Sequence, residues 1–425
     1  MTEQNNIQLP KSWKILSLSR IIEKIESGKR PKGGVQNISE GIPSIGGEHL
    51  DSNGNFKFEK IKYVPVEFAQ SMLKGRIQEN DILVVKDGAT TGKVSFVGKN
   101  FPYKTSVINE HVFLLRFRSE ILPKYVFYKL WSRKGNQEIL KDFRGAAQGG
   151  ISTNFVNLVE IPLPPLPEQH RIVAKIEELF SELDKAVENL QTARQQLKTY
   201  RQSVLKHAFL QPQFKYFQVT LKDISSKIQI GPFGSQLHKS DYISDGIPLI
   251  NPMHIKDFEI FENYKYSISK EKQESLPNYI LRENDIIMGR RGEMGRVALV
   301  RKREENWFCG TGSLYIRPNQ NQNSAKYLMY YLGSQIVKHF LDKNAAGTTM
   351  TNLNKEIVMN IPVLVCPIEE QHQIVAEIEK RFSEADKLEE SIETALRQTE
   401  ALRQSILKKA FEGKLVGPDE NKAGE

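Results

Sequence analysis

Cysteine is nearly absent: Cys309 and Cys366 are the only two among 425 residues. Two cannot build a disulfide framework, and neither has a Cys or His nearby at zinc-ligand spacing, so both are expected to be packing residues in a reducing compartment. Long apolar runs are missing as well. Nothing approaches the roughly 18 to 20 residues needed to cross a bilayer, and the start MTEQNNIQLPKSW lacks a signal pattern. These absences predict a cytoplasmic protein with no membrane partner. The eight histidines are scattered, with no pair at metal spacing and no H-x-E followed by paired cysteines. An adenine-methyltransferase motif of the Asn-Pro-Pro-Tyr kind is also absent, since NPMH at Asn251 lacks the second proline and the aromatic. Carboxylates near a lysine occur in GPDENK, but within a polar tail expected to lack order. A non-catalytic chain that binds no cofactor or metal of its own is the expectation.

One stretch invites the opposite reading. DGATTGKVSFVG, residues 87–98, looks like a phosphate loop followed by a strand. A Walker loop needs four residues between its glycine and its Gly-Lys pair, then Ser or Thr. Here three residues separate Gly88 from Gly92-Lys93, and Val94 follows. The spacing excludes a nucleotide hydrolase.

The length exceeds one ordinary core, and 39% hydrophobic with 26% charged residues is ordinary for a globular protein. Net charge is +9, unevenly placed. Residues 11–160 carry 24 basic against 15 acidic residues, 161–210 carry 7 against 6, 211–360 carry 20 against 15, and 361–425 carry 9 against 14. Two basic blocks, each followed by a neutral or acidic one, suit two contacts with a polyanion.

An internal repeat decides the architecture. The 42 residues from Glu168 to Phe209 align without a gap to those from Glu370 to Phe411, with 24 identities. Both copies lack Gly and Pro and are rich in Glu, Lys, Gln, Ala and Leu, which predicts one long helix each. Prolines precede each start, acidic residues fill each first turn, and Gln211-Pro212 or Gly413 closes each end. Apolar residues recur every seven positions: Ile176, Leu183, Leu190, Leu197 and Val204 against Ile378, Ala385, Ile392, Thr399 and Ile406. A companion line three residues on runs through Leu179, Ala186, Ala193, Tyr200 and His207, against Arg381, Leu388, Ala395, Leu402 and Lys409. The pattern predicts a coiled-coil seam in which the helices pair antiparallel as a rod of roughly 60 Å. His170 and His372, repeated at the helix starts, are expected to cap or pack.

The segments before each helix echo one another more faintly. GIPSIGGEHL from Gly41 corresponds to GIPLINPMHI from Gly246, and NDILVVKDGATTGKVSFV from Asn80 to NDIIMGRRGEMGRVALV from Asn284. The opening stretch is therefore one copy of a repeated glycine turn between two strands. The predicted fold is α+β: two mixed α/β domains separated by two long helices forming an antiparallel coiled coil, with a pseudo-twofold internal repeat. The boundaries are 1–160, 161–211, 212–360 and 361–425.

The order of two variable heads, each closed by a PLPPLPEQ-type start and a helix ending RQSVLKHAF or RQSILKKAFEGKL, resembles the specificity subunit of type I restriction-modification systems. The likeness extends over nearly the whole chain and includes AAQGGISTNF and AAGTTMTNLN before the helices. It implies a non-catalytic subunit that reads an asymmetric split double-stranded DNA target, one half-site per target recognition domain. It also implies partners: two modification subunits that bind S-adenosylmethionine and methylate adenine, and restriction subunits that use ATP and Mg. A stand-alone two-headed regulatory or architectural DNA-binding protein is the rival reading, and it leaves unexplained why the helices are copied so closely while the heads diverge.

Candidate DNA contacts are Lys86, Thr90, Thr91 and Lys93 in the first glycine turn and Arg290, Arg291 and Arg296 in the second, because Arg grips guanine or phosphate with two bonds. Arg144, Gln148, Thr348 and Thr349 precede the helices, where they either touch DNA or position the helix start. The repeated helix starts supply the candidates for contact with a protein partner: Glu168, Gln169 and Phe180, and Glu370, Gln371 and Phe382. Acidic faces at Glu384, Asp386, Glu389, Glu390 and Glu393 are also expected to face protein.

Overall fold

The fold is that of a computed structural model describing residues 9–36, 38–145, 149–292, 295–319, 322–345 and 353–417. The chain divides into two compact units, residues 1–190 with 394–425, and residues 191–393.

In the first unit, four short apolar strands form an antiparallel sheet in the order Ile22–Ser27, Val112–Phe117, Ile82–Val85, Val94–Phe96. A three-stranded sheet follows the order Lys62–Val64, Ile42–Ile45, Val107–Ile108, its last pair parallel. Lys14–Ser17 pairs with Glu160–Leu163, which brings the chain to the first long helix. Ile82, Val84 and Leu115 share a core with Tyr125, Val126 and Leu130 of the helix Pro123–Trp131, with Ile172 and Ile176, and with Leu407, Ala410 and Phe411.

The second unit repeats this topology. Its sheets run Ser225–Ile230, Ser313–Pro318, Ile286–Gly289, Val297–Leu299, and Ser267–Ile268, Ile247–Ile250, Phe308–Cys309. Phe217–Thr220 pairs with Pro362–Val365. A register shift falls at Ile22/Lys24 in one unit and Ser225/Lys227 in the other. The repeated Asn-Asp is a structural device. Asn80 and Asn284 take left-handed φ values of 71° and 69°, which asparagine tolerates. Each aspartate that follows is buried, accepts a backbone N–H from Gln78 or Arg282, and takes a two-point grip from Arg116 or Arg317. Both cysteines are buried thiols, and burial pushes that of Cys366 up to about 11.

The long helices span Leu166–Ala208 and Ile368–Phe411. Within the first unit, Arg403 lies 5.0 Å over the Phe180 ring and pairs with Asp184, while Phe411 meets Tyr125 edge-on. Within the second, Arg201 lies 5.3 Å over Phe382 and reaches Asp386 at 2.6 Å, and Arg194 meets Glu389 and Glu393. In both units, late residues of one helix meet early residues of the other, so the pairing is antiparallel.

The first line of the predicted seam faces inward: Ile176, Val204, Ile378, Ala385, Ile392 and Thr399 are buried, and Leu183, Leu190, Leu197 and Ile406 half-buried. The companion line is corrected. Leu179, Ala193 and Ala395 are half-buried, but Ala186, Tyr200, His207, Arg381, Leu388, Leu402 and Lys409 are exposed; the more deeply buried line lies four residues on, through Phe180, Val187, Arg201 and Ala208, with Arg194 exposed among them, and through Phe382, Glu389, Leu396, Arg403 and Ala410. Arginine sits there because its stem and flat guanidinium cover a phenylalanine face while its charge reaches a carboxylate. His170 and His372 are exposed, so neither packs in the core.

Candidate nucleic-acid interface

Each glycine turn follows a fully buried strand, 82–85 or 286–289, and reverses through glycines of positive φ: Gly88 (90°) and Gly92 (83°), Gly292 (80°) and Gly295 (80°). Thr91 Oγ1 donates to the Gly88 carbonyl at 2.6 Å, Thr90 lies half-buried near Gly47, and Asn136 donates to the Gly92 carbonyl at 2.7 Å. The hydroxyls of the first turn therefore help shape it. Lys86 and Lys93 are half-buried, the Lys86 ammonium 5.8 Å from the Phe113 ring.

The structure joins the turn to the segment before the long helix, a link not drawn from the sequence. Lys86 donates its N–H to the His111 carbonyl (2.8 Å), and its own carbonyl accepts from Ile151 N–H (2.8 Å). Arg144 and Gly150 exchange both backbone hydrogen bonds at 2.9 and 3.0 Å. A Cβ on Gly150 would lie 2.8 Å from the Asp87 side chain and the Lys86 carbonyl, so glycine permits the contact. Asp142, buried beneath, accepts the Ser152 N–H and hydroxyl, each at 2.7 Å. Burial pulls its carboxyl upward, but the Ser152 donors, with the nearby Asn154 and Arg144, hold it below the usual range. The Arg144 side chain is 76% exposed and 3.3 Å from Asp142.

The second unit repeats the link. Arg290 donates its N–H to Gly312 and accepts from Leu353 N–H, both at 3.0 Å. Its side chain corrects the expectation drawn from the sequence: Arg290 is 9% exposed, its guanidinium Nε donating to the Leu353 carbonyl at 3.3 Å, and it clamps the turn instead of presenting charge. Arg291 is exposed; Arg296 is half-buried, 3.4 Å from the Pro252 carbonyl. Gln148, Thr348 and Thr349 lie outside the described residues.

A basic loop that the sequence reading passed over lies beside the first turn. Lys29, Arg30 and Lys32 are exposed in GKRPKGG, and Arg30 Nε meets Glu110 at 2.9 Å, next to His111. Gly28 approaches the Ile108 carbonyl too closely for any Cβ, as Gly231 does at Gly310 in the second unit. A Lys/Arg run between glycines was the available signal. The face so formed offers cations and backbone donors on loops held by rigid sheets, which suits phosphate and base edges. Among the described residues there is no cluster of three metal-ligating side chains, and no helix is long and apolar enough to cross a membrane.

The residues expected to meet a protein partner are placed differently. Gln169 is buried: its carbonyl accepts the Leu122 N–H (2.9 Å) and its amide donates to Pro164 (3.0 Å). Gln371 does the same with Ser324 (2.9 Å) and Cys366 (2.8 Å). Glu168 accepts from Trp13 Nε1 at 3.0 Å, Glu370 is half-buried, and Phe180 and Phe382 are buried. Burial commits these glutamines and phenylalanines to fixing the helices to their own units. Of the acidic row, Asp386, Glu389 and Glu393 are paired with Arg194 and Arg201, while Glu384 and Glu390 are exposed.

Comparison with known proteins gives a consistent result. The family described as type I restriction modification DNA specificity domain matches twice, over residues 10–199 and 202–398. The chain is 32% identical over 288 residues to the EcoBI specificity subunit of Escherichia coli, an alignment covering 63% of this chain and 60% of that protein. It is 24% identical to the StySPI specificity subunit of Salmonella potsdam, covering 97% and 91%. Among solved structures, one reported under complex assembly and conformational transition of the type I R-M system matches with a TM-score of 0.70 at 22% identity, covering 96% of this chain and all of that one. The HsdS subunit from Thermoanaerobacter tengcongensis matches with a TM-score of 0.54 at 22% identity, covering 98% and 100%. At those identities the structures speak for the fold. With two matches that together span most of its length, the chain belongs to the family of type I restriction-modification DNA specificity subunits.

Proposed function

We propose that this chain reads an asymmetric, bipartite double-stranded DNA target, one half-site per repeated head, and scaffolds two modification subunits and the restriction subunits around it. The observation that carries the reading is a fixed scaffold with variable tips. Sheet order, Asn-Asp device and glutamine clamp recur in both units, while the glycine turns and their neighbours present different side chains. Equal frames with unequal tips suit one repeated protein partner and two different DNA words. The chain itself would be non-catalytic; S-adenosylmethionine, ATP and Mg would be held by the partner subunits.

The test is a map of methylated adenines in native cells with and without the chain. The expected result is a split motif, different in its two halves, that vanishes when the chain is removed. A methylation pattern indifferent to the chain overturns the proposal.

A further inference from the structure

The two glycine turns can be superposed residue by residue through their backbone partners. Lys86 donates to His111 and accepts from Ile151; Arg290 donates to Gly312 and accepts from Leu353. The strand register agrees, with Val85 opposite Val112 and Gly289 opposite Ser313. Asp87 and Arg291 therefore hold the same place in their units, as do Glu110 and Thr311, and His111 and Gly312.

Asp87 is held from two sides. Its Oδ1 lies 2.5 Å from His111 Nδ1, and its Cβ is seated against Gly150. His111 Nε2 in turn lies 3.3 Å from Glu110, which meets Arg30 at 2.9 Å. The second carboxylate oxygen of Asp87 makes no hydrogen bond with any described residue, and its side chain is 31% exposed. A carboxylate amid the basic residues of a DNA-facing surface would repel phosphate, so its place there needs another reason. An oriented carboxylate accepts a hydrogen bond from the exocyclic amine of cytosine, whereas arginine donates to O6 and N7 of guanine.

Resting on the DNA-reading role proposed above, we infer that Asp87, positioned by His111, specifies a cytosine in the first half-site, and that Arg291, at the same place in the second unit, specifies a guanine in the other. One scaffold position thus sets opposite chemistry in the two half-sites. The carboxylate supplies discrimination, and the neighbouring lysines and Arg30 supply attraction.

The experiment maps the methylation motif in native cells carrying the full chain as wild type, Asp87→Asn, His111→Ala or Arg291→Gln. Asp87→Asn is expected to relax or change one base position in one half of the motif, with roughly a ten- to hundredfold loss of discrimination there. Arg291→Gln should do the same at one position in the other half, and His111→Ala should weaken the Asp87 position only. If the wild type yields a split motif and Asp87→Asn leaves every base preference intact, or lowers methylation uniformly, this inference fails while the DNA-reading role stands. If the wild type yields no motif that depends on the chain, both fail.

Discussion

At the scale of single residues, Gln169 and Gln371 do the most with one side chain. Each ties the first turn of a long helix to the start of a helical segment in its own unit, using its acceptor and donor inside the core. Replacing either with alanine leaves a buried N–H and a buried carbonyl unsatisfied. The expected cost is about 1–3 kcal/mol each, read as a lower midpoint in denaturant unfolding, whereas Glu384→Ala on an exposed face should change it by no more than about 0.5 kcal/mol. The sequence showed that these glutamines repeat but not which way they point, because the groups they satisfy, Leu122 and Ser324, lie 47 residues away in each case. The same distance problem hid the join between residues 86–88 and 149–151, a pairing that no local pattern records. Arg290 was misread for a related reason. A charged residue beside a glycine turn is ordinarily solvated, and only the backbone of Leu353, 63 residues away, engages it on both sides.

Among elements, the long helices were the most legible feature. Composition, prolines and the copied 42 residues fixed their extents to within two residues of those observed. The line of aliphatic residues was also visible. Its companion was not, since it mixes phenylalanine, arginine, glutamate and alanine with only Val187 and Leu396 as aliphatic members, and the line one position away, with Leu179, Ala193 and Ala395 half-buried, offered a competing track. The two registers make opposite predictions. Phe180→Ala and Phe382→Ala remove buried rings that carry Arg403 and Arg201 and are expected to cost about 3–5 kcal/mol each. Ala186→Glu and Leu388→Glu, on the line three residues on, should stay within about 0.5 kcal/mol. Thermal or denaturant melts of the four variants decide between the lines, and equal losses at all four would contradict the observed seam.

For the whole molecule, the repeat supports a measurable role for the helices as a spacer under the proposed function. Removing one heptad from each, Val187–Ala193 and Thr394–Glu400, keeps the apolar register and shortens each helix by about 10 Å, close to 3 base pairs at about 3.4 Å each. The expected outcome is a methylation motif whose two halves are unchanged but whose gap is smaller, read by sequencing methylated adenines. A folded deletion variant with the original gap contradicts the spacer role.

The first unit gathers residues 1–190 with 394–425, so its hydrophobic interior includes Leu407, Ala410 and Phe411 from the far end of the polypeptide. On the ribosome, Ile176, Phe180 and Leu183 emerge about two hundred residues before the side chains that will cover them. Synthesis at about 5–20 residues per second leaves that apolar strip waiting for tens of seconds. The first unit is therefore completed after the second during translation, and a chain cut short before residue 394 carries a sticky, uncovered flank that chaperones and proteases would meet first.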